Sequence, residues 1–455
     1  MLSRNFRETL GVDLSITVIG AGLAGCEAAW ALASFDIPVR LYEMKPERFS
    51  PAHSSQDFAE LVCSNSLRSD SLKSAVGILK QELRVLGSLI LEAADNTSVP
   101  AGKALAVDRI EFSKYVTRKI ESCPKISVVR RELYEVPKDS DELVIVATGP
   151  LTSDGLTENI VEALGGSGLH FYDAIAPIVY ADSLDMDVLF RASRYEEGEG
   201  DYLNAPMNQD LYEKFVSEIR NSDKVEPHAF EKIPHFEGCL PIEELAVRGM
   251  DTLAFGPMKP VGLVDPKSGE RPHAVVQLRA ENSDRTLYNL VGFQTKMTHP
   301  EQERVFRMIP GLERAVFARL GSIHRNTYIN APALLDDFSR AITFPNIFFA
   351  GQITGVEGYV ESTASGLAVG LMCALISRGI APPALPVESA IGGLLKHTRD
   401  VPKKKYEPMN VNFGMIKSDV GKSRKSRKEE IAAIAISAVQ NWKTELENLW
   451  TKTAS

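Results

Sequence analysis

The segment Ser15-Ile-Thr-Val-Ile-Gly-Ala-Gly-Leu-Ala-Gly25 is the strongest indication of fold in this chain of 455 residues. A short, continuously apolar run leads into the pattern G-x-G-x-x-G, and the Ala-rich run from Cys26 to Ala33 predicts a helix. The run Val39-Arg-Leu-Tyr-Glu43 predicts a second strand that ends in an acidic residue. Strand, glycine turn, helix and strand in this order are typical of a βαβ dinucleotide-binding unit.

Each part of this unit has a chemical purpose. Gly20 permits the tight turn, Gly22 lets the backbone approach a pyrophosphate, and Gly25 lets helix and strand pack closely. Unpaired N–H groups at the helix N-terminus favour the anion, and the Glu43 carboxylate is expected to accept hydrogen bonds from ribose hydroxyls. The predicted cofactor-binding residues of the unit are Gly20, Ala21, Gly22, Leu23, Ala24, Gly25 and Glu43.

The layout of the other segments favours FAD over NAD as the dinucleotide. Two further buried strands are predicted, at 142–149 and 345–351, and the second leads into a glycine-rich segment that extends to Gly370. Gly149, Gly351 and Gln352 are therefore further predicted cofactor contacts. The expected fold class is α/β. It has an FAD-binding Rossmann-like domain in two segments (14–150 and 331–395), a mixed α+β insertion domain (151–330), and a basic tail with a C-terminal helix (396–455).

Cysteine usage and hydropathy indicate the compartment. Five cysteines without a C-x-x-C pair argue against a disulfide framework and a zinc ribbon, and favour a reducing compartment. By our count, no apolar run reaches the roughly 18 residues needed to span a bilayer, and the first 14 residues do not resemble a signal peptide. We therefore expect a cytoplasmic protein with neither a membrane segment nor a bound metal.

The charge is distributed unevenly along the chain. The formal net charge of −9 argues against nucleic acid as a partner, but residues 396–428 include eleven basic and only three acidic residues. Tyr406 and Phe413 lie between these charges, as expected for phosphate contacts combined with base stacking. A solvated loop is the alternative. The predicted RNA-binding residues are Lys403, Lys404, Lys405, Lys422, Arg424 and Lys425.

Two cysteines are candidate nucleophiles because polar or turn-forming residues surround them. Cys63 precedes Ser-Asn-Ser and Cys239 follows Gly238, although free cysteines are more often small buried apolar residues. His324 and Tyr328 could stack on a planar heterocycle, and Arg325 could bind a carboxylate; a loop anchored by hydrogen bonds is equally compatible. Tyr359 is expected near the flavin, or else as a packing residue. Cys26 and Cys373 are predicted to be core residues.

The motifs together resemble those of the folate- and FAD-dependent tRNA uracil-5-methyltransferases. The resemblance runs nearly from end to end and weakens over the last hundred residues. It is carried by the segments 18–25, 61–66 (LVCSNS), 92–95, 100–102, 106–109, 255–265 (FGPMKPVGLVD), 290–295, 324–332 (HRNTYINAP) and 355–362 (GVEGYVES).

This resemblance implies a reaction and roles for residues. FAD reduced by NADPH or NADH would pass the methylene of 5,10-methylenetetrahydrofolate to C5 of the T-loop uridine (position 54) of tRNA and reduce it to methyl. Cys239 would be the nucleophile at C6, with Cys63 assisting. Tyr359 would steady the flavin adduct, and His324 would stack on the pterin. No obligatory protein partner is implied.

Three alternatives stay open at this stage. One is the related flavoprotein that modifies wobble uridines with a partner GTPase, although it usually has a longer helical C-terminal extension. The second keeps the chemistry and changes the substrate to ribosomal RNA. The third is an FAD-binding protein that contacts RNA without turnover, which the paired cysteines disfavour.

Overall fold

The computed structural model describes residues 15–138, 142–165, 169–194, 200–225, 240–400, 406–418 and 427–452. The strands are β1 Ile16–Ile19, β2 Val39–Glu43, β3 Ser66–Ser69, β4 Ser98–Val99, β5 Ala104–Val107, β6 Ile126–Arg130, β7 Val144–Val146, β8 Leu169–Ala174, β9 Ile178–Tyr180, β10 Phe190–Ala192, β11 Tyr202–Met207, β12 Ala274–Ala280, β13 Leu287–Leu290, β14 Phe317–Arg319, β15 Ile323–Tyr328 and β16 Ile347–Phe349. The helices are α1 Leu23–Ser34, α2 Ala75–Leu86, α3 Leu89–Asn96, α4 Arg109–Ser122, α5 Asp154–Leu164, α6 Gln209–Asn221, α7 Ile242–Arg248, α8 Thr252–Phe255, α9 His299–Phe306, α10 Ala331–Leu334, α11 Tyr359–Ser377, α12 Ala390–His397 and α13 Arg427–Lys452.

A five-stranded parallel sheet forms the centre of the molecule, in the order β16-β7-β1-β2-β6. Strands β1, β7 and β16 are buried on both faces, as their continuous apolar sequences predict. The late strand β16 pairs in parallel with β7, and β7 pairs with β1. The α/β class is thus confirmed, and a segment near residue 350 completes a sheet that begins at residue 16.

Helices α1 and α11 pack against each other through small residues. A Cβ on Gly366 would lie 2.2 Å from the Ala24 carbonyl oxygen, and a Cβ on Gly370 would lie 2.8 Å from that of Ala28. Glycine at these two positions therefore permits close packing of the helices. Cys26 and Cys373 are fully buried in the same core, as predicted.

Helix α11 corrects an expectation about membrane segments. It has 19 residues and a mean hydropathy of 1.5, so by length and composition it could cross a bilayer. However, 89% of its apolar window is buried inside the protein. It is a core helix, and the expectation that no apolar run reaches this length is wrong.

Two separate helices, α2 and α3, follow each other directly between residues 75 and 96. Gly87 has a φ of +84°, which ends α2, and the Ser88 side chain caps α3 by accepting from the Leu91 N–H. The buried Glu27 carboxylate accepts the N–H groups of Leu89 and Ile90 at 3.1 and 3.0 Å.

A second buried acid acts in the same way at a distant helix. Glu82 of α2 accepts the N–H groups of Ala390 and Ile391 at the start of α12, at 2.7 and 2.8 Å. Burial raises the pKa of Glu82 to about 8, and the two backbone donors oppose this shift. The carboxylate thus joins the first segment of the chain to the last quarter.

The insertion contains a six-stranded sheet in the order β10-β11-β12-β13-β9-β14. Its paired strands are antiparallel, and helices α6, α7 and α9 cover one face. The apolar side chains of Val276 and Leu278 point into this core. The other face of the sheet includes Gln277 and Arg279, and Arg279 binds the loop that includes Cys63.

The C-terminal region differs in part from its prediction. The predicted C-terminal helix is present as α13, and it packs on the core through Ile431, Trp442 and Leu446, whereas Ile434 is exposed. Tyr406 is buried, and its hydroxyl donates to the Thr354 carbonyl at 2.6 Å, so the prediction that it stacks on bases is wrong. The predicted RNA-binding residues Lys403, Lys404, Lys405, Lys422, Arg424 and Lys425 lie outside the described residues.

Candidate active site

A cleft opens where β1, β2 and β7 end, and it contains the glycine fingerprint. Its volume is about 670 Å³, and its walls include Gly20, Ala21, Gly22 and Glu43. The Glu43 carboxylate accepts the N–H of Ala21 at 2.9 Å and that of Lys45 at 3.0 Å. Glu43 therefore holds the glycine turn, and each of its oxygens keeps acceptor capacity for a further donor.

The N-terminus of α1 fits a bound anion. Gly22 is the N-cap, and no described side chain caps the helix there; its first turn contains no acid. A Cβ on Gly22 would meet no described atom within 4 Å, whereas one on Gly25 would lie 1.7 Å from the Gly20 carbonyl oxygen. Open space and unpaired N–H donors at the same point suit the pyrophosphate of a dinucleotide.

The remaining predicted cofactor residues have varied surroundings. Gly149 follows β7 with a φ of +70°, next to Thr148 in the cleft wall. A Cβ on Gly351 would lie 2.7 Å from the Cβ of Ala24, so Gly351 permits packing against α1. The Gln352 amide donates to the Glu357 carboxylate at 2.6 Å. Sequence reasoning missed several residues of the cleft wall: Lys45, His53, Glu60, Arg131 and Leu133.

Two predicted catalytic residues, far apart in sequence, meet in the structure. The Cys63 Sγ lies 3.0 Å from the Tyr359 hydroxyl, at the first residue of α11. The phenolic oxygen also accepts the N–H groups of Cys63 and Ser64, at 2.9 and 3.3 Å. Burial, followed by the proximity of Cys63, raises the pKa of Tyr359 well above its ordinary value. Tyr359 is therefore a neutral phenol in contact with a thiol that is partly exposed.

One cross-strand row of the insertion sheet faces the loop of residues 61–66. In this row Tyr202 is opposite Arg279, Arg279 is opposite Asn289, Asn289 is opposite Ile178, and Ile178 is opposite Arg319. Directly opposed residues of antiparallel strands share a face.

The arginines of this row bind the loop directly. Arg279 donates to the Asn65 side-chain oxygen and to the Ser64 hydroxyl, both at 2.8 Å, and Arg319 donates to the Val62 carbonyl at 2.9 Å. Their involvement was not predicted, because no local pattern connects strands β12 and β14 with residues 61–66.

A third arginine reaches the loop from helix α4. Arg109 Nη1 donates to the carbonyls of Leu61 and Val62 at 2.6 and 3.2 Å, and its Nη2 lies 2.8 Å from the Glu281 carboxylate. Arg109 was visible to sequence reasoning only as the end of the motif at residues 106–109. The thiol loop is thus held by both the dinucleotide-binding region and the insertion.

His324 lies on β15, and its Nε2 is 2.9 Å from the Ser322 hydroxyl. Burial, and then the charge of Arg319, lower the pKa of His324, so its imidazole is neutral near pH 7. Tyr328 is buried and donates to the Tyr406 carbonyl at 3.3 Å, so it is a core residue and cannot stack on a ligand as predicted. The Arg325 side chain and Cys239 lie outside the described part of the structure.

His53 lies in the wall of the dinucleotide cleft, close enough to Arg319 and His324 for their charges to act on it. Its Nδ1 lies 2.5 Å from the Ser50 hydroxyl. Burial, and then the charge of Lys45, lower its pKa to about 4, with Arg319 and His324 acting in the same direction and Glu60 opposing them. Across the described segments, no group of three or more His, Cys, Asp or Glu side chains could hold a metal ion.

The low pKa of His53 predicts a loss of stability in acid. Because an unfolded histidine has a pKa near 6.5, the unfolded chain binds a proton between pH 6.5 and 4 that the folded protein excludes. The contribution is complete above pH 6.5 and is lost as pH falls to 4. We expect His53→Gln to reduce this acid-dependent fall in unfolding free energy by about 3 kcal/mol. Urea denaturation at several pH values measures the unfolding free energy, and the variant His299→Gln, at an exposed position, is the control. The prediction would be contradicted if the unfolding free energy depended on pH equally in wild type and His53→Gln.

Comparison with known proteins agrees with these features. The family model described as "Glucose inhibited division protein A" matches residues 15–381. A methylenetetrahydrofolate–tRNA-(uracil-5-)-methyltransferase TrmFO from Geobacter sulfurreducens is 56% identical over 430 residues, which are 94% of this chain and 98% of that protein. The proteins of the same name from Citrifermentans bemidjiense and Syntrophus aciditrophicus are 57% and 54% identical, each covering 95% of this chain and 99% and 98% of their own lengths.

Solved structures show the same fold. The form II crystal structure of Aquifex aeolicus GidA superposes with a TM-score of 0.70 at 17% identity, covering 97% of this chain and 74% of that one. At this identity the likeness concerns the fold alone. The near full-length relatives are more informative and confirm the resemblance found from the motifs: the chain belongs to the glucose inhibited division protein A family and, within it, to the methylenetetrahydrofolate–tRNA-(uracil-5-)-methyltransferases.

Proposed function

We propose that the protein methylates C5 of the T-loop uridine at position 54 of tRNA. The carbon comes from 5,10-methylenetetrahydrofolate, and NADPH or NADH supplies the reducing equivalents through FAD. The observation that carries the proposal is the contact of Cys63 with Tyr359 at 3.0 Å, in a chain that also has a cleft lined by the glycine fingerprint and is 56% identical to a named methyltransferase of this kind. Five cysteines without a C-x-x-C pair favour a reducing, cytoplasmic location.

The cleft fits FAD. The N-terminus of α1 and the open space over Gly22 suit the pyrophosphate, and Glu43 has acceptor capacity for a ribose hydroxyl. Gly149, beside Thr148 at the end of β7, would lie near the adenine half. When bound, the flavin supplies the electrons that convert the transferred methylene to methyl.

The thiols activate the uracil. C5 of uracil is a poor nucleophile until a thiolate adds to C6 and places negative charge on C5 and O4. C5 then bonds to the one-carbon unit, and loss of the C5 proton to a base together with the carrier amine leaves an exocyclic methylene on C5. This methylene would take up two electrons and a proton, as a hydride equivalent, to become methyl, while elimination from C6 releases the thiolate and restores the ring. We assign the attack on C6 to Cys239 and an assisting role to Cys63.

Tyr359 and His324 orient the other reactants. Tyr359 keeps its proton because its pKa is raised, so it can hold the Cys63 loop without becoming charged. The neutral imidazole of His324 would stack on the pterin, and Arg325 would bind a folate carboxylate.

The basic tail would orient the RNA. Its lysines and arginines at 403–405 and 422–425 would contact phosphates, whereas the body of the protein is acidic. Binding should therefore weaken steeply as the salt concentration rises, since each phosphate contact releases counterions.

One reaction tests the proposal against its alternatives. The purified yellow protein is incubated with unmodified tRNA transcript, methylenetetrahydrofolate and NADPH, and nuclease fragments are analysed by mass spectrometry. We expect 5-methyluridine at position 54. A parallel reaction with ribosomal RNA tests the second substrate, and the anticodon fragment tests wobble modification. A colourless protein, or methylation only at other uridines, would overturn the proposal.

A further inference from the structure

The Val62 carbonyl, one residue before Cys63, is held from two sides by guanidinium groups. Arg319 Nη1 donates to it at 2.9 Å and Arg109 Nη1 at 3.2 Å. Arg109 comes from the start of α4 and Arg319 from the last strand of the insertion sheet. Because the register of β14 against β9 shifts between Phe317 and Arg319, a β-bulge directs the Arg319 side chain.

The residues after Cys63 are fixed as well. The Asn65 amide donates to the carbonyls of Val107 and Ala280, both at 2.9 Å, and Arg279 binds Ser64 and Asn65. Cys63 is therefore a partly exposed thiol on a loop whose neighbours on both sides are tied down. Such a loop holds its side chain in a defined place without help from a ligand.

The charges around the thiol are unbalanced. Arg109 is paired with Glu281, whose side chain is 3% exposed. Arg319 forms no ion pair with any described carboxylate, and the nearby Glu60 is already paired with Lys45 at 3.5 Å. Tyr359, which also contacts the thiol, is neutral. Arg319 thus has a half-buried positive charge near Cys63 that forms no ion pair with a described acid, and the Glu60 carboxylate acts on this charge without such a contact.

We propose that Arg319 and Arg109 are positioning residues for Cys63: they fix the Val62 carbonyl and place positive charge beside the thiol, which favours its thiolate. The proposal rests on the proposed function only in giving Cys63 a catalytic task. The reactivity of the thiol itself is measurable without RNA or folate, so the failure of one is distinguishable from the failure of the other.

The test follows alkylation of Cys63 by iodoacetamide across pH, with the Cys63 peptide quantified by mass spectrometry. Arg319→Met should slow alkylation at pH 7 by about tenfold and move its pH midpoint up by about one unit, as expected for loss of one nearby opposite charge. Arg319→Lys keeps the charge and should keep most of the wild-type midpoint. Arg319→Gln keeps an N–H donor for Val62 and removes the charge, so it should show the same shift as Arg319→Met even if the latter folds poorly.

Arg191→Met is the matched control. Arg191 lies on the same sheet but on the opposite face from Tyr202 and Arg279, and it donates to the Tyr288 hydroxyl at 3.2 Å. Its alkylation profile should match wild type. If Arg319→Met and Arg319→Gln both retain the wild-type rate and midpoint, the proposal is wrong. In methyl transfer, Arg319→Gln should lower kcat and leave the KM for the folate unchanged.

Discussion

Replacement of Cys239 by alanine is expected to stop methyl transfer to RNA. Without a thiolate to add at C6, C5 of uracil stays a weak nucleophile, and loss of a covalent nucleophile typically lowers kcat by a thousandfold or more, roughly 4 kcal/mol. Single-turnover formation of 5-methyluridine measures the effect. Cys123→Ala is the control, since Cys123 follows helix α4 and has no assigned task. Full transfer by Cys239→Ala would remove the assignment.

Cys63→Ala separates the two thiols. We expect the variant to retain reduction of the flavin by NADPH and to be impaired in methyl transfer to RNA. Cys63 contacts Tyr359 and lies on the loop that is held by both the dinucleotide-binding region and the insertion. Cys63→Ser keeps a hydrogen bond to the phenol and should keep the loop in place, which isolates the loss of the thiol. If Cys63→Ala changed neither half-reaction, Cys63 would have no chemical role.

The second large effect concerns the glycine turn. Gly22 has φ −77°, which any residue adopts, and its Cβ would enter open space. Gly22→Val should therefore fold with nearly the wild-type Tm. The added side chain would occupy the position proposed for the pyrophosphate, so FAD affinity should fall at least a hundredfold, about 3 kcal/mol. Absorbance near 450 nm after dialysis, with FAD titration, measures the loss.

Gly25→Ala is the contrasting variant. Its Cβ would lie 1.7 Å from the Gly20 carbonyl oxygen, so it should lower the Tm of the protein whether or not FAD is present. Gly22→Val thus tests whether the open space at this turn holds the cofactor, and Gly25→Ala tests the packing of the turn itself. A yellow Gly22→Val protein with wild-type affinity would show that the pyrophosphate lies elsewhere.

Local sequence patterns predicted the parallel sheet, the glycine turn and the position of Glu43, because strand and turn signals are carried by adjacent residues. They misjudged features that depend on tertiary context. Gly366 lies in a glycine-rich segment that resembles a binding element, yet it serves helix packing against Ala24. Tyr406 lies among lysines but is buried. In both cases a distant element decides the environment.

In the candidate site, too, local motifs indicated some residues, and the contacts between them depend on the tertiary structure. The motif at residues 61–66 drew attention to Cys63, and the motif at 355–362 drew attention to Tyr359. Their contact, and the role of Arg319, depend on how β14 and α11 approach that loop. A single sequence does not show which distant residues come into contact. It therefore indicated the reactive groups and not the residues that hold them in place.

The position of β16 beside β7 has a consequence for biosynthesis. The strand that closes this edge of the parallel sheet leaves the ribosome only after the whole insertion has been made. Until then the backbone donors and acceptors of β7 are exposed on one side, and Glu82 has no α12 to cap. Long-range pairing of this kind folds slowly and leaves an edge open to other chains. Nascent chains that stop before residue 347 should therefore depend on chaperones, whereas the insertion can begin to form its own sheet earlier.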